Sequence, residues 1–162
     1  MPDYKKKIYL KSIFLISFIA VISAYFIEYI LGYQPCNLCI IERIPYILSL
    51  ILLLINFKFS IREKYLILLL IIIFVFSLVV SLYHFGIEQG FFQESFICDI
   101  KDGSNILSKN ELLAELQQKT ISCKDVTFRI FGFSLTSFNI IISLILVIFL
   151  SKIFKNYDKF KK

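Results

Sequence analysis

The chain has 162 residues, of which 58% are hydrophobic, and it carries a formal net charge of +6. A soluble domain of this length has far more polar surface, so the composition predicts an integral membrane protein. The basic residues flank apolar segments and do not alternate with aromatic ones, which favours membrane topology over nucleic-acid binding.

Four segments are long and apolar enough to cross a bilayer, which takes roughly 20 mostly apolar residues. They lie at about residues 8–31, 40–57, 65–83 and 135–154. The first has a basic start but is too long for a signal peptide and lacks a small-x-small cleavage site, so we expect it to stay as a helix. The sequence therefore predicts an all-α membrane protein with one domain over residues 1–162, a four-transmembrane-helix bundle.

The distribution of positive charge predicts the orientation of these spans. Most of the 18 basic residues lie before or near the start of the first span, between the second and the third, or near or after the end of the fourth. They are Lys5, Lys6, Lys7, Lys11, Lys58, Arg62, Lys64, Lys152, Lys155, Lys159, Lys161 and Lys162. Cytoplasmic loops are enriched in Lys and Arg, so both termini are predicted to be cytoplasmic. The outer loops, at about residues 32–39 and 84–134, then carry all four cysteines.

The long outer loop is too short to build a core of its own. Within it, Ser108 and Glu111 have the spacing of a capping box, which predicts a short helix. Leu112, Leu113 and Leu116 would share one face of that amphipathic helix. Two positions for it remain open: on the bilayer surface, or against the transmembrane bundle.

Cys36 and Cys39 form a Cys-x-x-Cys pair, here called the inner pair, at the start of the second span. Such a dithiol is suited to thiol–disulfide exchange, because one sulfur attacks while its neighbour leaves. If a helix begins near Cys39, Arg43 lies on the same face and stabilises a thiolate. The alternatives are an inert structural pair or a zinc site, and zinc needs two further ligands where the chain has one histidine. No metal is therefore predicted.

Arg43 lies in an apolar setting, where an ionised side chain is costly unless it pairs or has a function. It either binds a ligand or extends to the head groups, paired with Glu42. His84 is the only histidine, at the outer end of the third span. It is either hydrated at the interface or takes part in the redox site.

Cys98 and Cys123, here called the outer pair, lie 25 positions apart in the long loop. A disulfide between them would close a flexible loop, and an exposed, mobile bridge is more easily attacked than one in a packed core. Lys124 beside Cys123 favours its thiolate. A purely structural disulfide remains the alternative.

Three stretches together resemble the DsbB family of membrane disulfide-generating proteins. They are residues 32–43 (GYQPCNLCIIER), residues 83–90 (YHFGIEQG), and the run from Cys123 through Arg129, Gly132 and Ser134 to Asn139. With the four spans, the resemblance covers nearly the whole chain. The combination is specific, whereas a Cys-x-x-Cys pair alone would not be.

The resemblance implies an inner-membrane enzyme that reoxidises a periplasmic thioredoxin-like protein, DsbA in the family, and passes electrons to a membrane quinone (ubiquinone or menaquinone). The partner attacks Cys98, the freed Cys123 attacks Cys36, and Cys39 leaves as a thiolate beside the quinone. Arg43 and His84 would bind the quinone. All four cysteines are then catalytic and periplasmic.

Two other functions remain open from the sequence. A thiol reductant exporter would need reactive cysteines reachable from the cytoplasm, which the charge distribution opposes. A non-catalytic scaffold with structural disulfides predicts normal function after replacement of the inner pair.

Overall fold

A computed structural model describes residues 3–59, 63–93, 98, 123–124, 128–130 and 132–156. In chain order its elements are α1 (Asp3–Tyr29), α2 (Asn37–Ile41), α3 (Ile44–Phe59), α4 (Glu63–Glu88), β1 (Arg129–Ile130), β2 (Phe133–Ser134) and α5 (Leu135–Asn156). The helix predicted around Ser108 and Glu111, with its leucine face, lies outside these described residues.

The four-span prediction for the fold is confirmed. Segments Ile8–Tyr29, Asn37–Phe59, Glu63–Glu88 and Leu135–Lys155 are each long and apolar enough to cross a membrane. Helices suit this environment because all their backbone hydrogen bonds are satisfied within the segment. The protein is an all-α four-span membrane bundle, and its described residues include a short β-hairpin whose two strands have two residues each. Helix α4 runs to Glu88, past the predicted end near residue 83, so His84 lies within a helix.

The helices pack mainly as two pairs, α4 with α5 and α1 with α3, and α3 also contacts α4. The shared core contains the fully buried Leu53, Leu70, Phe74 and Leu150. Large apolar side chains such as Phe76 point outward. An outward apolar surface is what a lipid environment requires of a spanning bundle.

Small hydroxyl residues line the contacts between helices. Ser17 of α1 meets Ser49 of α3 at 3.1 Å, and Ser77 of α4 meets Ser143 of α5 at 3.1 Å. All four are fully buried. Small residues let helix backbones approach closely, and their hydroxyls find partners across the interface.

One end of the bundle gathers α2, the last turn of α4, the β-hairpin and the first turn of α5. Gly132 forms the hairpin turn at φ +84°, a conformation that L side chains rarely adopt. Ser134 Oγ then accepts a hydrogen bond from the Ser137 amide at 3.3 Å, which caps α5. Lys58, at the far end of α3, and Lys155, at the far end of α5, lie at the opposite end of the bundle.

Candidate thiol–disulfide exchange site

The inner pair is held by the short helix α2. Cys36 is its N-cap residue, and its sulfur accepts a hydrogen bond from the Cys39 amide at 3.3 Å. The two sulfur atoms lie 2.7 Å apart and are not joined in a disulfide. Cys36 is buried, whereas Cys39 is partly exposed.

The expectation that Cys39 and Arg43 share one helix face is wrong. Helix α2 ends at Ile41, residues 42–43 form a turn, and α3 begins at Ile44. The break has a chemical cause: Pro45 has no amide hydrogen for the Ile41 carbonyl. The Arg43 amide therefore bonds back to the Ile40 carbonyl at 3.1 Å, in a tighter turn.

Arg43 points towards α1. Its guanidinium donates a hydrogen bond to Glu28 Oε2 and forms an ion pair there, and its Cζ lies 5.1 Å from the centre of the Tyr25 ring. The sequence-based alternative had paired Arg43 with Glu42. The Glu42 carboxylate instead points into the bundle, because α4 offers it a buried hydrogen-bond partner.

That partner is His84, which is 1% exposed. Its Nδ1 lies 2.9 Å from Glu42 Oε1 and 3.2 Å from Thr136 Oγ1. Its Nε2 lies 3.6 Å from Cys36 Sγ. The histidine is therefore a neighbour of the inner pair, sequestered from solvent, and not an interfacial side chain held by water.

This arrangement stabilises a thiolate at Cys36. The hydrogen bond from Cys39 and then that from His84, helped by the charge of His84, lower the pKa of Cys36 to about 5, although burial opposes them. The negative charge of the reduced pair thus lies on Cys36. The family resemblance implies a thiolate at Cys39 as well, which forms when Cys123 attacks Cys36 during turnover.

A chain of polar contacts continues from His84 into the bundle. Glu42 Oε2 accepts from Asn139 Nδ2 at 3.0 Å, and Asn139 Nδ2 also lies 2.7 Å from Ser81 Oγ. Tyr46 donates its hydroxyl hydrogen to Asn139 Oδ1. Buried polar groups are costly without partners, so these contacts fix α3, α4 and α5 relative to one another.

Sequence reasoning missed Glu42, Thr136 and Asn139 as members of the site. One signal was available: Ser77, Ser81, His84 and Glu88 recur at helical spacing in the apolar third span. That spacing predicts one polar face on α4. Its partners on other helices required the structure.

The outer pair forms a disulfide, with 5.9 Å between the Cα atoms. The expectation of an exposed bridge is wrong, since Cys98 and Cys123 are 7% and 2% exposed. Both pack with Cys36, Leu38 and Ile87 in one apolar cluster. The site therefore holds a disulfide and a dithiol side by side.

The structure brings His84 close to the inner pair, so the number of possible zinc ligands at this site can be counted directly. The inner-pair sulfurs and a ring nitrogen of His84 lie within 4.8 Å of one another. Among the described residues this group offers three ligands, one fewer than a structural zinc site takes.

Two cysteine pairs clustered at one end of a four-span bundle define a membrane thiol–disulfide oxidoreductase. Residues 6–153 match the family model for the disulfide bond formation protein DsbB. The chain is also similar to an uncharacterized protein of Rickettsia prowazekii (strain Madrid E), with 34% identity over 142 residues, covering 85% of this chain and 81% of that protein. No solved structure gives a significant match. The chain belongs to the DsbB family.

Proposed function

We propose that the protein reoxidises a periplasmic thioredoxin-like dithiol protein of the DsbA type and passes the electrons to a membrane quinone. The observation that carries this proposal is the cluster that brings Cys98 and Cys123 against Cys36. In a non-catalytic scaffold each disulfide only has to cross-link its own segment of the chain, so the two pairs need not lie near each other. A relay needs the two pairs within reach of each other, which is the arrangement here.

The exchange steps follow from thiolate chemistry. A partner thiolate attacks Cys98, breaks the outer disulfide and frees Cys123; the partner's second thiolate then displaces Cys98, leaving the partner oxidised. Cys123 attacks Cys36, breaks the Cys36–Cys39 disulfide and frees Cys39. Closure of the Cys98–Cys123 bond then releases Cys36 as a thiolate. The two electrons from the partner now reside in the inner pair.

The arrangement with the outer pair bonded and the inner pair unbonded corresponds to the end of this proposed sequence. A thiolate at Cys36 suits its role as leaving group in the last step, because a leaving group of lower pKa departs faster. His84 and the Cys39 thiol stabilise that departing charge through the contacts described above. The outer pair is thereby driven towards its disulfide.

The residues around the inner pair fit a quinone. Cys39 is partly exposed, and Ile40 and Ile44 beside it point outward as lipid-facing residues. Arg43 lies near that surface, held by Glu28, and offers a cationic hydrogen-bond donor for a carbonyl oxygen. Arg43, with His84 behind the sulfurs, is proposed to hold the quinone. A bound quinone would accept two electrons, which no side chain of the site can do.

The proposed location is the bacterial inner membrane, with both termini cytoplasmic and both cysteine pairs periplasmic. Support comes from the helix directions, which put Lys58 and Lys155 at the end opposite the cysteines. The positive-inside bias assigns that end to the cytoplasm. Disulfide chemistry also belongs in the oxidising compartment.

A trapping experiment tests the proposed order of exchange. A single-cysteine partner, in which the second cysteine is replaced by serine, can attack Cys98 of the outer disulfide but cannot displace it again. This partner should accumulate as a mixed disulfide on Cys98, with Cys123 released as a thiolate. On a non-reducing gel this species should vanish with reductant and in the matched Cys98→Ser/Cys123→Ser variant. Capture of the partner on Cys36 or Cys39 instead would mean that the inner pair meets the partner directly, and the relay would be wrong.

A further inference from the structure

A second buried carboxylate, Glu88, lies beside His84, with its Oε1 3.9 Å from His84 Nε2, and is not used by the exchange steps. It is the last residue of α4, and its side chain is 5% exposed. Thr136 donates its hydroxyl hydrogen to Glu88 Oε1 at 2.6 Å. The same Thr136 oxygen lies 3.2 Å from His84 Nδ1, so this hydroxyl bridges the imidazole and the carboxylate.

The two glutamates that flank His84 differ in their hydrogen bonding. Both oxygens of Glu42 are occupied, Oε1 by His84 and Oε2 by Asn139. Glu88 Oε2 is buried and has no hydrogen-bond partner among the residues that the structure describes. A buried carboxylate oxygen without a partner is costly while it is charged, and a proton removes that cost. The contacts of Glu42 therefore suit it to orient the His84 ring, whereas the open oxygen of Glu88 leaves room for a proton.

We propose that Thr136 and Glu88 form a proton store for the inner pair, loaded through His84 when the dithiol is oxidised. This inference rests on the proposed function only for the electron acceptor, a quinone. It assigns to Glu88 the role of proton acceptor and to Thr136 that of a positioning and relaying hydroxyl.

The proton count balances for a full oxidation of the dithiol. In the reduced pair Cys36 is a thiolate, and its proton lies on His84. Oxidation breaks the Cys39 S–H bond, forms one S–S bond and sends two electrons to the acceptor, which leaves two protons, one on His84 and one from Cys39. The proton on His84 Nδ1 moves through Thr136 to Glu88. The Cys39 proton, delivered through the sulfur 2.7 Å away, then stays on His84 beside Glu42. Two protons are thus matched by two buried carboxylates around one imidazole.

Infrared difference spectroscopy tests the store without relying on turnover. Purified protein with the outer pair replaced (Cys98→Ala/Cys123→Ala) is compared with its inner pair oxidised and reduced. A protonated-carboxyl band should be gained on oxidation and be lost in Glu88→Gln, which keeps an acceptor for Thr136 but cannot take the proton. The band should persist in Ser49→Ala, a buried hydroxyl at another helix contact.

Turnover provides an independent measurement. Glu88→Gln and Thr136→Val should each lower kcat by about tenfold or more, since positioned proton transfer contributes at least that much. The quinone KM should be nearly unchanged, and the solvent deuterium isotope effect on kcat should rise. Thr136→Ser, which restores the hydroxyl, should recover most of the rate. Trapping of the partner on Cys98 should be unaffected.

The outcomes separate the two proposals. Wild-type protein that reduces no quinone would refute the proposed function. The infrared comparison of Glu88→Gln with the wild type would still test the proton store, because it does not depend on quinone turnover. Wild-type protein that turns over, with Glu88→Gln showing the same kcat, isotope effect and infrared band, would overturn the proton store alone. Equal losses in Thr136→Val and Thr136→Ser would assign Thr136 to packing and remove it from the proposed path.

Discussion

Replacing His84 should raise the pKa of the Cys36 thiol and so lower the fraction of Cys36 that is thiolate. With a pKa of about 5, nearly all of Cys36 is ionised at neutral pH. A free thiol has a pKa of about 8.5, so the site stabilises the thiolate by about 5 kcal/mol, at ~1.4 kcal/mol per tenfold change. In His84→Phe the burial remains and one hydrogen bond and a positive charge are lost. The pKa of Cys36 should therefore rise, although the hydrogen bond from Cys39, the larger of the two that lower it, remains.

The sign of the pH dependence follows from this shift. A lowered pKa means that the thiolate is present above about pH 5 and is lost as the pH falls through that value. Alkylation by iodoacetamide, followed by mass spectrometry in the Cys98→Ala/Cys123→Ala background, should be half-maximal near pH 5 for Cys36. In His84→Phe the midpoint should move upward, while the matched control Ser49→Ala keeps it. An unchanged midpoint in His84→Phe would refute the role given to the 3.6 Å contact with Cys36.

Three further predictions concern the cofactor contact, the end of α4 and the orientation. Arg43→Ala should raise the quinone KM by about 10- to 100-fold, because one charge-assisted hydrogen bond is lost. The KM of Arg43→Lys should lie between those of Arg43→Ala and the wild type. Wild-type kinetics of Arg43→Ala at limiting quinone would show that Arg43 does not bind the quinone. Gly86→Ala should destabilise the bundle by about 1–3 kcal/mol in thermal unfolding, because the new Cβ would clash with the Phe92 ring. Adding Phe92→Ala should relieve most of that loss, and no relief would contradict the clash. A membrane-impermeant maleimide should label Phe133→Cys, at an exposed position of the hairpin beside the cysteine pairs, in cells with only the outer membrane opened. Labelling that requires inner-membrane lysis would reverse the proposed orientation.

The fold was predictable because membrane helices depend on local composition. Long apolar runs and flanking basic residues identify spans without knowledge of how they pack. The four spans were found this way, and the Cys-x-x-Cys motif marked the inner pair. The break at residues 42–43 was also signalled in principle, by Pro45, but its consequence for Arg43 depends on where α1 lies.

The interior of the site was less predictable because it depends on pairing between helices. Glu42 looks like a natural partner of its neighbour Arg43, yet each finds its partner on another helix, His84 on α4 and Glu28 on α1. The burial of Cys98 likewise comes from packing against Ile87 and the inner pair. Sequence separation gives no measure of such contacts.

Quinone reduction by the purified protein tests the central claim most directly. The wild-type protein is mixed with a reduced thioredoxin-like dithiol protein and a membrane quinone, and quinone absorbance is followed over time. The account predicts reduction of one quinone per dithiol oxidised, and a loss of that reaction in Cys36→Ser and in Cys98→Ser. Reduction that continues at the wild-type rate without the outer pair, or no reduction by the wild-type protein, would contradict it.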